Sequence, residues 1–277
     1  MKESGILDAP LKALGTTVEW REFSGGPQLL EALNAGAIDF GVTGEAPPIF
    51  AQAAGAPLVY VGVEPPAPHG EAIIVPKDSP LRSVADLKGK KVALNKGSNV
   101  HYLLVRALEE AGLSYGDIQP VYLAPADARA AFERGAVDAW AIWDPYYAAA
   151  VAATQARILA DGARADGGNL VSNHQFFLAT RTLSDHRHAA VEAILQGLKA
   201  IEADAVNHPA ETARRLSATT GIPAPVLETA LRRFSYGILP LGPEVVEEQQ
   251  RIADTFLGLG LIPKRVTISE ALPKTGS

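Results

Sequence analysis

Leu29–Gly44 reads LLEALNAGAIDFGVTG, and Ala128–Trp143 reads ARAAFERGAVDAWAIW. Each begins as an amphipathic helix, turns at a glycine and runs on as an apolar strand. Gly36 matches Gly135, Ile38 matches Val137 and Asp39 matches Asp138, all at one offset (135 − 36 = 99). Glu45 and Asp144, just past the two stretches, keep the same offset, and a proline follows each closely. Upstream, Val18–Phe23 before Gln28 matches Val121–Leu123 before Asp127. An offset held across strand, loop, helix, turn and strand marks a repeated structural unit. The chain therefore reads as two similar α/β lobes.

The same alternation extends outward. Strands are expected at Val18–Phe23, Ile38–Val42, Leu58–Val63, Ala72–Val75, Lys91–Asn95, Val121–Leu123, Val137–Ile142 and Gln175–Ala179. Helices are expected at Pro27–Ala35, Pro48–Ala54, Val100–Ala111, Asp127–Arg134, Pro145–Ala153 and Arg187–Asn207. Strands and helices of these lengths in alternation predict parallel sheets covered by helices on both faces. Three more helices are expected near the end, at Pro209–Thr219, Pro223–Phe234 and Pro243–Leu259, each opened by a proline suited to a first turn.

The repeat carries a further expectation. The second lobe opens with strand Lys91–Asn95, loop Lys96–Asn99 and helix Val100–Ala111, ending Glu110-Ala111-Gly112-Leu113. The first lobe offers only Glu3-Ser4-Gly5-Ile6 to match that ending. On this reading a strand, its loop and most of a helix are expected before Met1, with any secretion signal further upstream.

Of the 277 residues, 47% are hydrophobic and 20% charged, enough for a sizeable core and unlike a disordered chain. The formal net charge of −6 points away from nucleic acid and anionic membranes. An anion would have to be held by local dipoles against that field. There is no cysteine, which removes disulfides, thiolate catalysis and Cys-based metal sites. No run of about 18 apolar residues, the length needed to span a bilayer, occurs. No P-loop, G-x-S-x-G, H-E-x-x-H or G-x-G-x-x-G motif occurs, so no catalytic constellation, cofactor or metal site is expected.

Four turns between elements carry the binding chemistry. Asn95-Lys96-Gly97-Ser98-Asn99 joins a strand to a helix. Ser98 or Asn99 suits an N-cap, and the amides of a helix start attract an anion. The same turn also reads simply as a capped helix. Phe23-Ser24-Gly25-Gly26-Pro27-Gln28 is a second such turn, with Gln28 in the first helical turn. Gly44-Glu45 and Trp143-Asp144 end the two repeat-related strands, where open α/β sheets bind ligands. Glu45 and Asp144 read either as partners for a ligand ammonium or as caps of their own helices. Trp143 reads as a cover for an apolar chain or as a core residue, and Trp140 reads as core. His101, in the first turn of the helix after Ser98, is a candidate ligand contact. His186 and His188 sit in a polar run.

The runs GPQLLEALNAGAIDFGVTGEAPPIFAQAAG, KGKKVALNKGSNVHYLL, PADARAAFERGAVDAWAIWDPYYAAA and LPLGPEVVEEQQRIADTFLGLGLIPK resemble the aliphatic-sulfonate-binding proteins of bacterial ABC importers. Taurine- and nitrate-binding proteins are similar relatives. The resemblance implies a type II periplasmic-binding-protein fold: two α/β lobes joined by a two-strand hinge, with extra C-terminal helices and the ligand between the lobes. Lobe 1 would comprise residues 1–73 plus 174–277 and lobe 2 residues 74–173, with hinge strands near Ala72–Pro76 and Leu170–Ala179. It implies a pocket drawn from Gln28, Gly44, Glu45, Ser98, Asn99, Trp143 and Asp144. It implies a monomer in the periplasm that captures a small organic anion, a sulfonate, without chemistry and delivers it to a membrane permease for sulfur uptake. The alternatives are taurine, nitrate or bicarbonate as ligand, or a thiamine-pyrimidine synthesis enzyme on the same fold. That enzyme reading relies on a cysteine-rich motif, which a chain without cysteine lacks.

Overall fold

The computed structural model describes residues 1–274. The chain separates into two compact units. The first comprises 1–65, 174–207 and 236–274, and the second comprises Pro66–Asn173 and His208–Ser235.

In the first unit α1 (Asp8–Ala13) precedes α2 (Gly26–Asn34), β1 (Phe40–Gly44), α3 (Ala46–Ala53) and β2 (Leu58–Val63). In the second come β3 (Glu71–Val75), β4 (Lys91–Leu94), α4 (Asn99–Glu110), β5 (Gln119–Tyr122), α5 (Pro125–Glu133), β6 (Ala139–Trp143), α6 (Tyr146–Thr154) and β7 (Arg157–Asp161). The chain then supplies β8 (Gln175–Thr180), α7 (Arg181–His186) and α8 (His188–Asn207) to the first unit. It adds α9 (Pro209–Thr220) and α10 (Ala224–Leu231) to the second, and α11 (Pro243–Gly258) to the first.

The first sheet runs β1-β8-β2 and the second β5-β4-β6-β3-β7. β4 pairs parallel with β5 and β6, as a βαβ rhythm requires. β8 is antiparallel to both β1 and β2, with Gly41 opposite Leu178 and Val59 opposite Ala179. β3 is likewise antiparallel to β6 and β7. The first sheet is thus antiparallel in its pairings and the second mixed, which corrects the expectation of parallel sheets. The cause is topological. β3 and β8 each follow a passage of the chain from one unit to the other, at 65–66 and 173–174, and not a helical crossover within their own sheet.

The repeat is present in the backbone. α2 and α5, β1 and β6, and β2 and β7 all start 99 residues apart (125 − 26, 139 − 40 and 157 − 58). Gly36 and Gly135 sit at matched φ of 71° and 68°, the left-handed conformation that ends each helix and redirects the chain into its strand. β8 occupies in the first sheet the place that β3 occupies in the second.

One predicted strand is not formed. Val18–Phe23, the counterpart of β5, has no ladder partner among the described residues. Its alternation is real, since Val18 and Trp20 pack against a cluster of Leu7, Leu11 and Ala190. A strand also needs a neighbour, and among the described residues the first sheet holds no counterpart of β4. Three elements escaped the sequence reading: the short helices α1 and α7, and β7, where a short Arg-Ile-Leu-Ala-Asp run carries little signal. α9 and α10 also differ from expectation. Residues 208–235 belong to the second unit, where α10 packs on α9 and α6, and do not stay with the rest of 174–277. The expected hinge at Ala72–Pro76 falls instead within the second unit, where all five residues of β3 are buried.

Each unit has its own core. In the second, Trp140, fully buried, packs with Phe132, Ile74, Ile142 and Tyr147. In the first, Tyr60 and Phe176 meet edge-on at 5.1 Å, and Phe50 meets Phe256 at 5.0 Å.

Candidate ligand-binding site

In the first unit, α2 packs directly on α3 and β1. Its start comes so close that a Cβ on Gly26 would lie 2.7 Å from Pro47 Cγ and 3.1 Å from Thr43 Cβ. Glycine at that position lets the first turn of α2, with Gln28, close onto the end of β1. Gln28 Oε1 is buried and has no hydrogen-bond partner among the described residues. Gly44 ends β1, and Glu45 follows it.

Glu45 has no exposure at all. Its side chain does not cap α3. Instead Oε2 accepts the His174 N–H at 3.0 Å, tying the end of β1 to the start of β8. Its backbone carbonyl accepts from Gln249 Nε2 at 2.6 Å, and that nitrogen also reaches Tyr60 Oη at 3.1 Å. His174 Nδ1 lies 2.7 Å from the Glu64 carbonyl oxygen, and Nε2 lies 3.7 Å from Glu248. Burial lowers the pKa of His174, but the bonds to Glu248 and Glu64 and the charges of Glu45 and Glu248 outweigh it, so the net shift is upward.

In the second unit, Ser98 is the N-cap of α4 with extended backbone, φ −89° and ψ 172°. Its Oγ does not cap the helix. It donates to the Asn95 carbonyl at 2.7 Å and closes the turn on itself. Gly97 N–H donates to His101 Nδ1 at 3.2 Å. Asn99 Nδ2 donates to Asn173 Oδ1 at 2.6 Å, and Asn173 Nδ2 donates to the Ala67 carbonyl at 2.9 Å. Ser98, Asn99 and His101 are all buried. The turn is therefore braced from three sides, which fixes the amides that a helix start leaves for a ligand.

His101 is fully buried, with ring centroids 5.1 Å from Tyr115 and 6.0 Å from Tyr122. Burial, and then the charge of Lys96, push its pKa down to about 4. It is a neutral acceptor serving the turn.

Trp143 ends β6 half-buried, with its ring 6.1 Å from Tyr146 in an edge-on arrangement. Asp144 follows, buried, and its Oδ1 accepts the Ala148 N–H at 3.0 Å, so it caps α6 from one residue before the assigned N-cap, Pro145. Both carboxylate oxygens also accept from Arg233 Nη1, at 3.2 and 2.9 Å. Arg233, Asn173, His174 and Gln249 were not identified from sequence. Each acts on a partner far along the chain, and none lies in a recognisable motif.

The described residues contain no helix long and apolar enough to cross a membrane. They contain no cluster of three His, Cys, Asp or Glu suited to a metal ion.

The model of the NMT1/THI5-like family matches residues 12–212. An aliphatic sulfonates-binding protein of Escherichia coli is 49% identical over 256 residues, 92% of this chain and 79% of that relative. The alkanesulfonate-binding protein SsuA of Xanthomonas axonopodis pv. citri, solved bound to MOPS, superposes with a TM-score of 0.90 at 44% identity, covering 98% of this chain and 92% of that one. The periplasmic aliphatic sulphonate binding protein SsuA of Escherichia coli gives 0.88 at 46% identity, covering 100% and 88%. These relatives at 44–49% identity are binding proteins, and their match runs through both units: this chain belongs to the NMT1/THI5-like family, among the aliphatic-sulfonate-binding proteins of ABC import systems.

Proposed function

We propose that this chain captures an alkanesulfonate-type organic anion in the periplasm, as a monomer, and presents it to the membrane permease of an ABC importer for sulfur uptake. The observation that carries the reading is the Asn95–Asn99 turn at the start of α4, held by His101, Asn173 and its own Ser98 hydroxyl. A sulfonate is a permanent anion with three acceptor oxygens. Fixed amides and a helix dipole hold such a group without proton transfer. A protein of net charge −6 needs that local arrangement, because its overall field opposes an anion. Trp143, half-buried at the end of β6, offers an apolar face for the ligand tail. Within the first unit, Gln28 by itself offers a side-chain amide whose buried oxygen has no hydrogen-bond partner among the described residues. The relatives named for sulfonates, and described in one case as periplasmic, support both ligand and compartment.

Taurine as the preferred ligand would ask Glu45 to meet an ammonium. Its enclosure and its bond to His174 do not favour that. A thermal-shift panel of nitrate, sulfate, taurine and alkanesulfonates of increasing length tests the reading. The largest rise in melting temperature is expected with an alkanesulfonate. A larger rise with nitrate, or none with any sulfonate, overturns it.

A further inference from the structure

Arg233 lies just past α10, in the segment 208–235 that returns to the second unit. Its Nη1 is bound to both oxygens of Asp144, and its guanidinium carbon stands 4.1 Å from the Tyr147 ring centroid. The Asp144 side chain has no exposure, and that of Arg233 keeps 22%. The carboxylate thus lies one residue beyond Trp143, shielded from water, with one cation to balance it. An anion arriving near Trp143 meets either a neutral pair or, without the guanidinium, a buried negative charge.

We propose that Arg233 is a positioning residue for anion capture: it acts on the ligand through Asp144, holding that carboxylate in a neutral, fixed pair so that the turn after Trp143 does not repel the anion. The inference rests on the reading of Trp143 and Asp144 as part of the ligand site. Burial raises the pKa of Asp144 and Arg233 opposes that rise, so removing the guanidinium drives the pKa further up. The other titratable groups on the surrounding elements are Glu71 at the start of β3, Tyr147 on α6, and His69, Asp161 and Arg232, which line a cavity of about 450 Å³ with Arg233. His69 pairs with Asp161 at 2.9 Å. These groups are common to all variants below and cancel in the comparison.

The test is isothermal titration of an alkanesulfonate against wild type, Arg233→Gln, Asp144→Asn and the double variant, at a series of pH values descending from the alkaline side toward the carboxyl range, because burial raises the pKa of Asp144. Asparagine keeps the acceptor that caps α6. Arg233→Gln is expected to lose at least about tenfold in affinity at the upper pH and to regain it as pH falls and Asp144 protonates. Asp144→Asn and the double variant are expected to bind within about threefold of each other, the pair being coupled. A loss in Arg233→Gln that is independent of pH, or a double variant about tenfold weaker than Asp144→Asn, overturns the proposal, because Arg233 then acts on the ligand directly. If Arg233→Gln does not fold, the double variant against Asp144→Asn still decides. If wild type binds no sulfonate, the functional reading falls. The pair is then read from melting temperature alone, where Arg233→Gln should gain on wild type as pH falls and the double variant should not.

Discussion

The His101 ring accepts the Gly97 N–H at 3.2 Å, so a side chain one turn into α4 holds the loop that opens the same helix. Replacing it with phenylalanine keeps the packing against Tyr115 and Tyr122 but leaves a buried donor without an acceptor. We expect His101→Phe to lose about 1–3 kcal/mol of stability and to weaken every sulfonate by a similar factor. Chemical denaturation and titration measure the two effects.

His101 also sets one limb of the pH profile. Its folded pKa, about 4, lies below the ordinary 6.5, so the unfolded chain takes up a proton first as pH falls. Stability contributed by the neutral ring is complete above about 6.5 and is lost between there and about 4. Melting temperature should fall through that window in wild type, and less steeply in His101→Phe.

His174 has the opposite sign. Its folded pKa is raised above the ordinary value, so its contribution is complete below that value and disappears as pH rises through the folded pKa. His174→Gln should remove this alkaline-side loss while leaving the acid limb in place. A parallel pair of melting curves against pH would show it, and an unchanged alkaline limb would exclude His174 as its source.

Ser98 donates to the Asn95 carbonyl, so its hydroxyl proton is already engaged. Ser98→Ala should cost about 0.5–1.5 kcal/mol of stability and less than about tenfold in sulfonate affinity, because the helix-start amides remain. Titration decides, and a loss of two decades would make the hydroxyl a direct donor to the ligand.

Glu45→Gln keeps an acceptor for the His174 N–H but removes a charge that helps to raise the His174 pKa. The ranking of taurine against a neutral-tailed sulfonate of matched length should not change. The alkaline-side loss of stability should move to lower pH. A selective loss of taurine in titration would restore Glu45 as an ammonium partner.

Much of this architecture is legible in the sequence because the repeat is local. Gly36 and Gly135, and the helices and strands around them, are dictated by residues within a few turns of each other. The readings that failed depend on distant partners. Val18–Phe23 alternates as a strand should, but pairing needs a neighbour that no local pattern reveals. The hydroxyl of Ser98 and the carboxylate of Glu45 were recognised as important from their place at element ends. Their bonding to Asn95 and His174 was not, since a polar side chain at a helix start can cap, bind a ligand or tie two strands together. β7 could have been found by carrying the same offset on from β2.

The order of strands in the two sheets bears on how the chain is made. All five strands of the second sheet lie within residues 66–173, so that sheet is complete once this one stretch has left the ribosome. β1 and β2 emerge earlier but do not touch each other as strands. The strand that joins them, β8, is synthesised only after the whole of the other sheet. Until then both expose unpaired edges, the state in which nascent chains aggregate or recruit chaperones. Of the two sheets, the one whose outer strands are made earlier is thus completed later, and slowing translation before Gln175 should prolong its vulnerable interval.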